Sequence, residues 1–327
     1  MSYVRRKLVL TGLVGAALSV AGAPGCGAGE EAAPRSERKA TVDVIEVGGA
    51  PVAVAVGEGA VWVANFQDDT VTRIDPRSRS VVGKPIPVGN GPVGVAAGEG
   101  AVWVANMFDS SVVRIDPSSN RVVGDPIRVG ERPLAVAAGE GSVWTFDSIA
   151  GSVTRIDPRR GKVVSTSPPL VGRSAGNPDD AGLAVHDGSV WVSSPSEGTV
   201  IRADAGSNEP QGEPIDVGAG PFGVAVGVGA VWVANLDDGT VTRIDPRTAR
   251  VVRPAIATGG QPVALAAGEG VVWVADASGK AVRIDPASNT VLGEPIPVGG
   301  RPQDVAFGEG AVWVVDQLGN TVVRVEP

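Results

Sequence analysis

GEGAVWVAN occupies Gly57 to Asn65 and returns letter for letter at Gly98 to Asn106. GVGAVWVAN stands at Gly227 to Asn235, and GEGAVWVVD at Gly308 to Asp316. Each copy carries one tryptophan. The chain's seven, Trp62, Trp103, Trp144, Trp191, Trp232, Trp273 and Trp313, follow one another at spacings of 41, 41, 47, 41, 41 and 40. A period near 40 with strand-like content marks propeller blades of four strands each.

One unit shows the strands. Pro51–Val56 is strand A, Ala60–Asn65 strand B, Thr70–Asp75 strand C and Val81–Val88 strand D. A Gly-rich hairpin joins A to B, and Asp75-Pro76 opens the C–D turn, where an Asx side chain and a fixed φ suit the bend. Strands A and B are apolar on both faces, as stacked blades require. Strand A is built from Ala, Val and Gly because the crowded axis leaves little volume. Strand D carries Pro85, Pro87, Pro214, Pro295 and Pro297, which only an edge strand tolerates. The Arg-x-Asp pairs, such as Arg73 with Asp75, share one face of strand C and are expected to pair at the surface.

The last unit stops after strand C, at TVVRVEP, while a lone strand at about residues 40–47 precedes the first. Ring closure accounts for both. The expectation is an all-β, seven-bladed β-propeller over 41–327, with four antiparallel strands per blade and the N-terminal strand completing blade seven.

VWVAN after a G-x-P loop, followed by R-I-D-P, resembles the YVTN-repeat propellers of bacterial envelopes and the virginiamycin B lyase (streptogramin lyase) family. The likeness spans roughly residues 41–327. The lyase resemblance implies a ring-opening elimination on a cyclic depsipeptide, a carbon–oxygen lyase reaction using a His base and Mg2+ held by acidic groups at the channel mouth. Strand B in that family typically ends in Glu. Here its last residues are Asn65, Asn106, Asp147, Ser194, Asn235, Asp276 and Asp316, of which the three aspartates are candidates for a hard cation. The sole histidine, His186, lies in an A–B turn, on the rim opposite the B–C and D–A loops. A lyase therefore lacks its general base at the mouth.

Residues 1–25 read as an export signal: a basic start at Arg5, Arg6 and Lys7, then an apolar run from Leu8 to Ala23. That run is shorter than the ~20 residues of a membrane span. Cys26, the single cysteine, follows GAPG and resembles the acceptor of a bacterial lipobox, the alternative being simple signal cleavage. Residues 26–40 are polar, aperiodic and tether-like. The expected location is the outer face of the cytoplasmic membrane as a lipoprotein, or secretion. Without the leader, 25 basic face 36 acidic residues, a balance of −11 that argues against nucleic acid as a partner.

Two G-x-G-x-x-G stretches, Gly89–Gly94 and Gly218–Gly223, run into strands and not helices, so they fail the dinucleotide test. GRSAG at Gly172–Gly176 likewise lacks the strand–turn–helix of a nucleophile elbow around Ser174. Departures from the repeat carry more. The D–A connection at Gly172–Asp180 is longer than the others and brings Arg173, Asp179 and Asp180 to the rim. Arg132 and Arg301 stand where Ala50, Gly91 and Gly220 stand elsewhere, and Gln303 and Asp304 follow in blade seven. Phe66, Met107 and Phe108 follow strand B in blades one and two. Large apolar residues on a loop rim mark a contact patch.

The seven strand-B termini have two readings: a polar funnel that contacts a ligand, or caps of the B–C turn. The expected function is non-catalytic binding or scaffolding at the cell envelope by a monomer whose only membrane link is the lipid. The ligand would be a peptide, glycan, small molecule or envelope protein. No cofactor is expected, and Mg2+ only for a lyase.

Overall fold

The computed structural model describes residues 40–172 and 181–326. They form seven antiparallel sheets arranged as a ring, with no helix among the described residues. In blade one, strands Pro51–Gly57, Ala60–Asn65 and Thr70–Asp75 pair in order, and the same order repeats around the ring. Blade seven consists of Pro302–Gly308, Ala311–Asp316, Thr321–Glu326 and, as its outermost strand, Thr41–Glu46. The last pairing runs from Thr41 opposite Glu326 to Glu46 opposite Thr321.

The repeat phrase is the core. Strands A and B are buried along almost their full length in blade one, and all seven Trp side chains are inaccessible. A sheet buried on both faces cannot stand alone, so each blade depends on its neighbours. The core is accordingly a series of inter-blade clusters, such as Ala53, Trp62 and Val71 of blade one against Val95 and Val104 of blade two.

Strand C does more than the sequence implies. In every blade its Arg lies over the Trp ring, 5.1 Å away for Arg73 on Trp62 and 5.9 Å for Arg283 on Trp273. Arg73 then reaches blade two, donating from Nη1 to the Pro117 carbonyl and to Asn120 Oδ1, both at 2.8 Å. Arg243 does the same to Pro286 and Asn289. Asp75 turns the other way and accepts from the amides of Arg77 and Ser78 in its own turn. The expected surface pair is thus two separate devices, one joining blades and one capping the C–D bend.

Strand D is discontinuous in blades one, two, four and six. In blade one, Ser80–Val81 and Ile86–Pro87 each pair with strand C, and Val82 still donates to the Arg73 carbonyl, so the ladder breaks over residues 83–85. Gly83 has φ +74, and Pro85 has no N–H to give the ladder. Blades three and five lack the Gly-x-Pro interruption and form continuous outer strands, Lys162–Thr166 and Arg250–Ala257.

The seam between blades seven and one is joined at two radii. Near the axis, Asp304 accepts from the Val54 amide at 2.9 Å and from its own Val305 amide. At the outside, Arg79 of blade one pairs with Asp43 and Glu326, and Arg324 pairs with the same two acids.

Candidate functional site

Every strand A begins at a D–A loop and ends in an A–B hairpin, so the D–A and B–C loops share one rim and the A–B hairpins the other. His186 ends the Leu183–His186 strand at the hairpin rim. The rim of D–A and B–C loops therefore holds the candidate residues.

A backbone bond fixes this rim in every blade but the fourth, where Pro195 has no amide to give. The first residue after strand B donates its amide to the D–A residue before strand A. The pairs include Phe66 to Ala50, Met107 to Gly91, Leu236 to Gly220, Ala277 to Gln261 and Gln317 to Arg301. Aspartates reinforce it: Asp68, Asp109 and Asp238 accept from the amides of Gly49, Asn90 and Ala219. The side chains that follow strand B are thereby held at defined places around the mouth.

In blades one to three they form an apolar patch. The Phe66 and Phe108 rings lie 5.8 Å apart, tilted by 55°. Both close over Gly91, where a Cβ would come within 2.5 Å of the Phe108 ring. Phe108 is 53% exposed, whereas Met107 is buried against Val93 and Leu134. Arg132 adjoins Met107 and takes φ 56, a left-handed conformation in which a non-glycine side chain is strained. Ile149 and Leu318 extend the exposed apolar set to blades three and seven; Leu318 is 69% exposed.

Blades five to seven enclose a cleft of about 350 Å3. Leu236, Val263 and Leu318 supply apolar wall, and Asp237, Gln261, Arg301 and Gln303 supply polar groups. The repeat pattern identified Arg301 and Gln303. It did not identify Leu236, Asp237, Gln261 or Leu318, because each replaces a residue at a position that varies from blade to blade. Gln303 departs from a constant pattern: the same position holds Val52, Val93, Leu134, Ala181, Phe222 and Val263, all apolar.

The seven strand-B termini are buried within their blades. Asn65 donates to Thr70 and Thr72, and Asn235 to Thr240 and Thr242. Asn106 donates to the Val88 carbonyl and Ser194 to Glu197. Asp147 accepts from Thr154, Asp276 from the amide and hydroxyl of Ser278, and Asp316 from the amides of Gly300 and Arg301. Burial raises the Asp147 carboxyl from 3.8 to about 7, and holds Asp304, also fully buried, well above the carboxylate range. Arg173, Asp180 and Cys26 lie outside the described residues, as do residues 1–25 and most of the 26–40 tether.

The donor set does not fit a Mg2+ ion. Asp147, Asp276 and Asp316 belong to blades three, six and seven, and each accepts a hydrogen bond within its own blade. Among the described residues no three His, Cys, Asp or Glu side chains converge as a metal site.

The fold and rim define a seven-bladed β-propeller. Among solved structures it is similar to virginiamycin B lyase from Staphylococcus aureus, with TM-score 0.72 and 15% identity, covering 88% of this chain and 100% of that one. A catalytically inactive form of that lyase, with quinupristin, matches equally well. Kuenenia stuttgartiensis hydrazine synthase has TM-score 0.72 and 14% identity, covering 85% and 96%. A chain of the mitotic checkpoint complex has TM-score 0.71 and 14% identity, covering 94% and 99%. At these identities the likeness is one of fold, shared by proteins of diverse activity. No protein-family profile and no curated protein matches the sequence.

Proposed function

We propose that this chain is a non-catalytic binding or scaffolding propeller of the bacterial cell envelope, a relative of the YVTN-repeat propellers, that takes its ligand on the D–A/B–C rim. The observation that carries this reading is the exposed apolar arc of Phe108, Ile149 and Leu318 beside a cleft on the same rim. A solvated rim needs no such side chains, and Phe108 with the Phe66 ring beside it makes the kind of apolar group that marks a contact surface. In this reading the leader of residues 1–25 exports a monomer, a lipid on Cys26 anchors it, and 26–40 is the tether. Arg173 and Asp180 of the long loop join Phe66, Arg132 and Arg301 as ligand contacts, and Asp304, buried, ties blade seven to blade one.

The fold likeness to virginiamycin B lyase supports a second reading, a Mg-dependent lyase acting on a cyclic depsipeptide. Thermal unfolding against panels of peptides, glycans and cyclic depsipeptides, each with and without Mg2+, separates the two. Binding predicts stabilisation without turnover by at least one compound, lost in a Phe66→Ala, Arg132→Glu, Arg301→Glu triple variant. Chelator-sensitive turnover of a depsipeptide overturns the binding reading, as does stabilisation that the triple variant keeps.

A further inference from the structure

We propose that the cleft between blades five, six and seven binds a short linear peptide of about two residues, its free ammonium toward Asp237 and its free carboxylate toward Arg301. This rests on the binding reading above and names the ligand class for one part of the rim.

Three observations carry it. The first is size. At about 350 Å3 the cleft is at the small end of ligand sites and suits a compact molecule. The second is charge placement. Asp237 comes from blade five and Arg301 from blade seven, with blade six between them, so opposite charges flank the cleft. Leu236, Val263 and Leu318 supply apolar wall for side chains. A dipolar ligand with an apolar body matches this order, and a guanidinium presents a planar fork to a carboxylate.

The third observation is Gln303. It is 2% exposed, lines the cleft, and its Oε1 has no hydrogen-bond partner among the described residues. Every other blade places an apolar residue there. A buried amide oxygen without a donor is costly unless something supplies one. A turn of the Gln303 side chain toward the cleft lets a peptide N–H do so, and Gln261 adds a second amide at the same cleft.

The test is calorimetric titration of the full chain with Leu-Ala and three relatives: N-acetyl-Leu-Ala, Leu-Ala-amide and cyclo(Leu-Ala). Saturable 1:1 binding of Leu-Ala is expected, with each blocked end raising Kd about tenfold. Asp237→Asn should erase the penalty for acetylation only, and Arg301→Gln that for amidation only. Gln303→Leu should weaken binding while leaving the unfolding temperature equal to wild type or higher, since it removes an unpaired oxygen. Equal affinity for all four probes, or no binding of Leu-Ala by the folded protein, overturns the assignment. If a glycan or larger peptide still stabilises the chain through Phe66, this inference alone fails. If no compound in either experiment binds, the rim reading fails with it.

Discussion

At the residue scale, the sequence announces which side chains recur but not what each one touches. Trp62 and its six counterparts were legible as markers of the blades because one falls in every repeat at a near-constant spacing. Arg73 was not, since its partners Pro117 and Asn120 lie 44 and 47 positions away, in the next blade. Asp147 and Asp304 are similar: their spacing is ordinary, and burial alone sets their chemistry. An unfolded aspartic acid titrates near 3.8, whereas folded Asp147 titrates at about 7. Between those values the folded chain holds a proton that the unfolded chain has released, so raising the pH favours unfolding. Asp304 acts in the same direction. The turn-capping Asp75, Asp116, Asp157, Asp204 and Asp245 are held low by backbone and side-chain hydrogen bonds, so their contribution is lost only as pH falls below 3.8. The unfolding temperature, followed by circular dichroism, should therefore decline as pH rises from about 4 to about 7. Asp147→Asn should flatten that decline in part, leaving the Asp304 share.

At the element scale, strands A, B and C were legible from apolar runs and turn residues, and so was the N-terminal strand. The outer strand was overread: Val81–Val88 has strand composition, yet Gly83 and Pro85 interrupt its ladder. The A–B hairpin shows what the GEG in the repeat does. Glu58, Glu99 and Glu140 all take positive φ, from 51 to 55, at the turn. Their carboxylates then accept from the amides of Gly100, Gly141 and Asp187 in the following blade's hairpin. Each turn thus offsets local strain by gripping its neighbour. Glu99→Ala keeps the strain and loses the grip, so urea unfolding should show a loss of about 1 kcal/mol. Glu99→Gly relieves the backbone and should recover part of it.

At the scale of the whole molecule, the blade count and the closure could be read in advance, because seven near-copies and one displaced strand admit few arrangements. The cleft could not, since it arises where three varied loops meet. Closure also has a checkable polarity. The Val47 amide bonds inward to the Asn320 carbonyl. By the two-residue alternation of a strand, Ile45 and Asp43 also direct their amides at strand C, while Val44 directs its own outward. Ile45→Pro should lower the urea midpoint well beyond Ile45→Ala, whereas Val44→Pro should stay near wild type.

Thr41 faces Glu326, and Glu46 leads straight into the first D–A loop. Whatever precedes Thr41 consequently leaves from the hairpin side of the disc. Any support that holds the chain by its leading end grips the back of the ring and points Phe108 and the cleft toward the open medium. A short leash would hold that aspect, and lengthening it would let the disc turn freely.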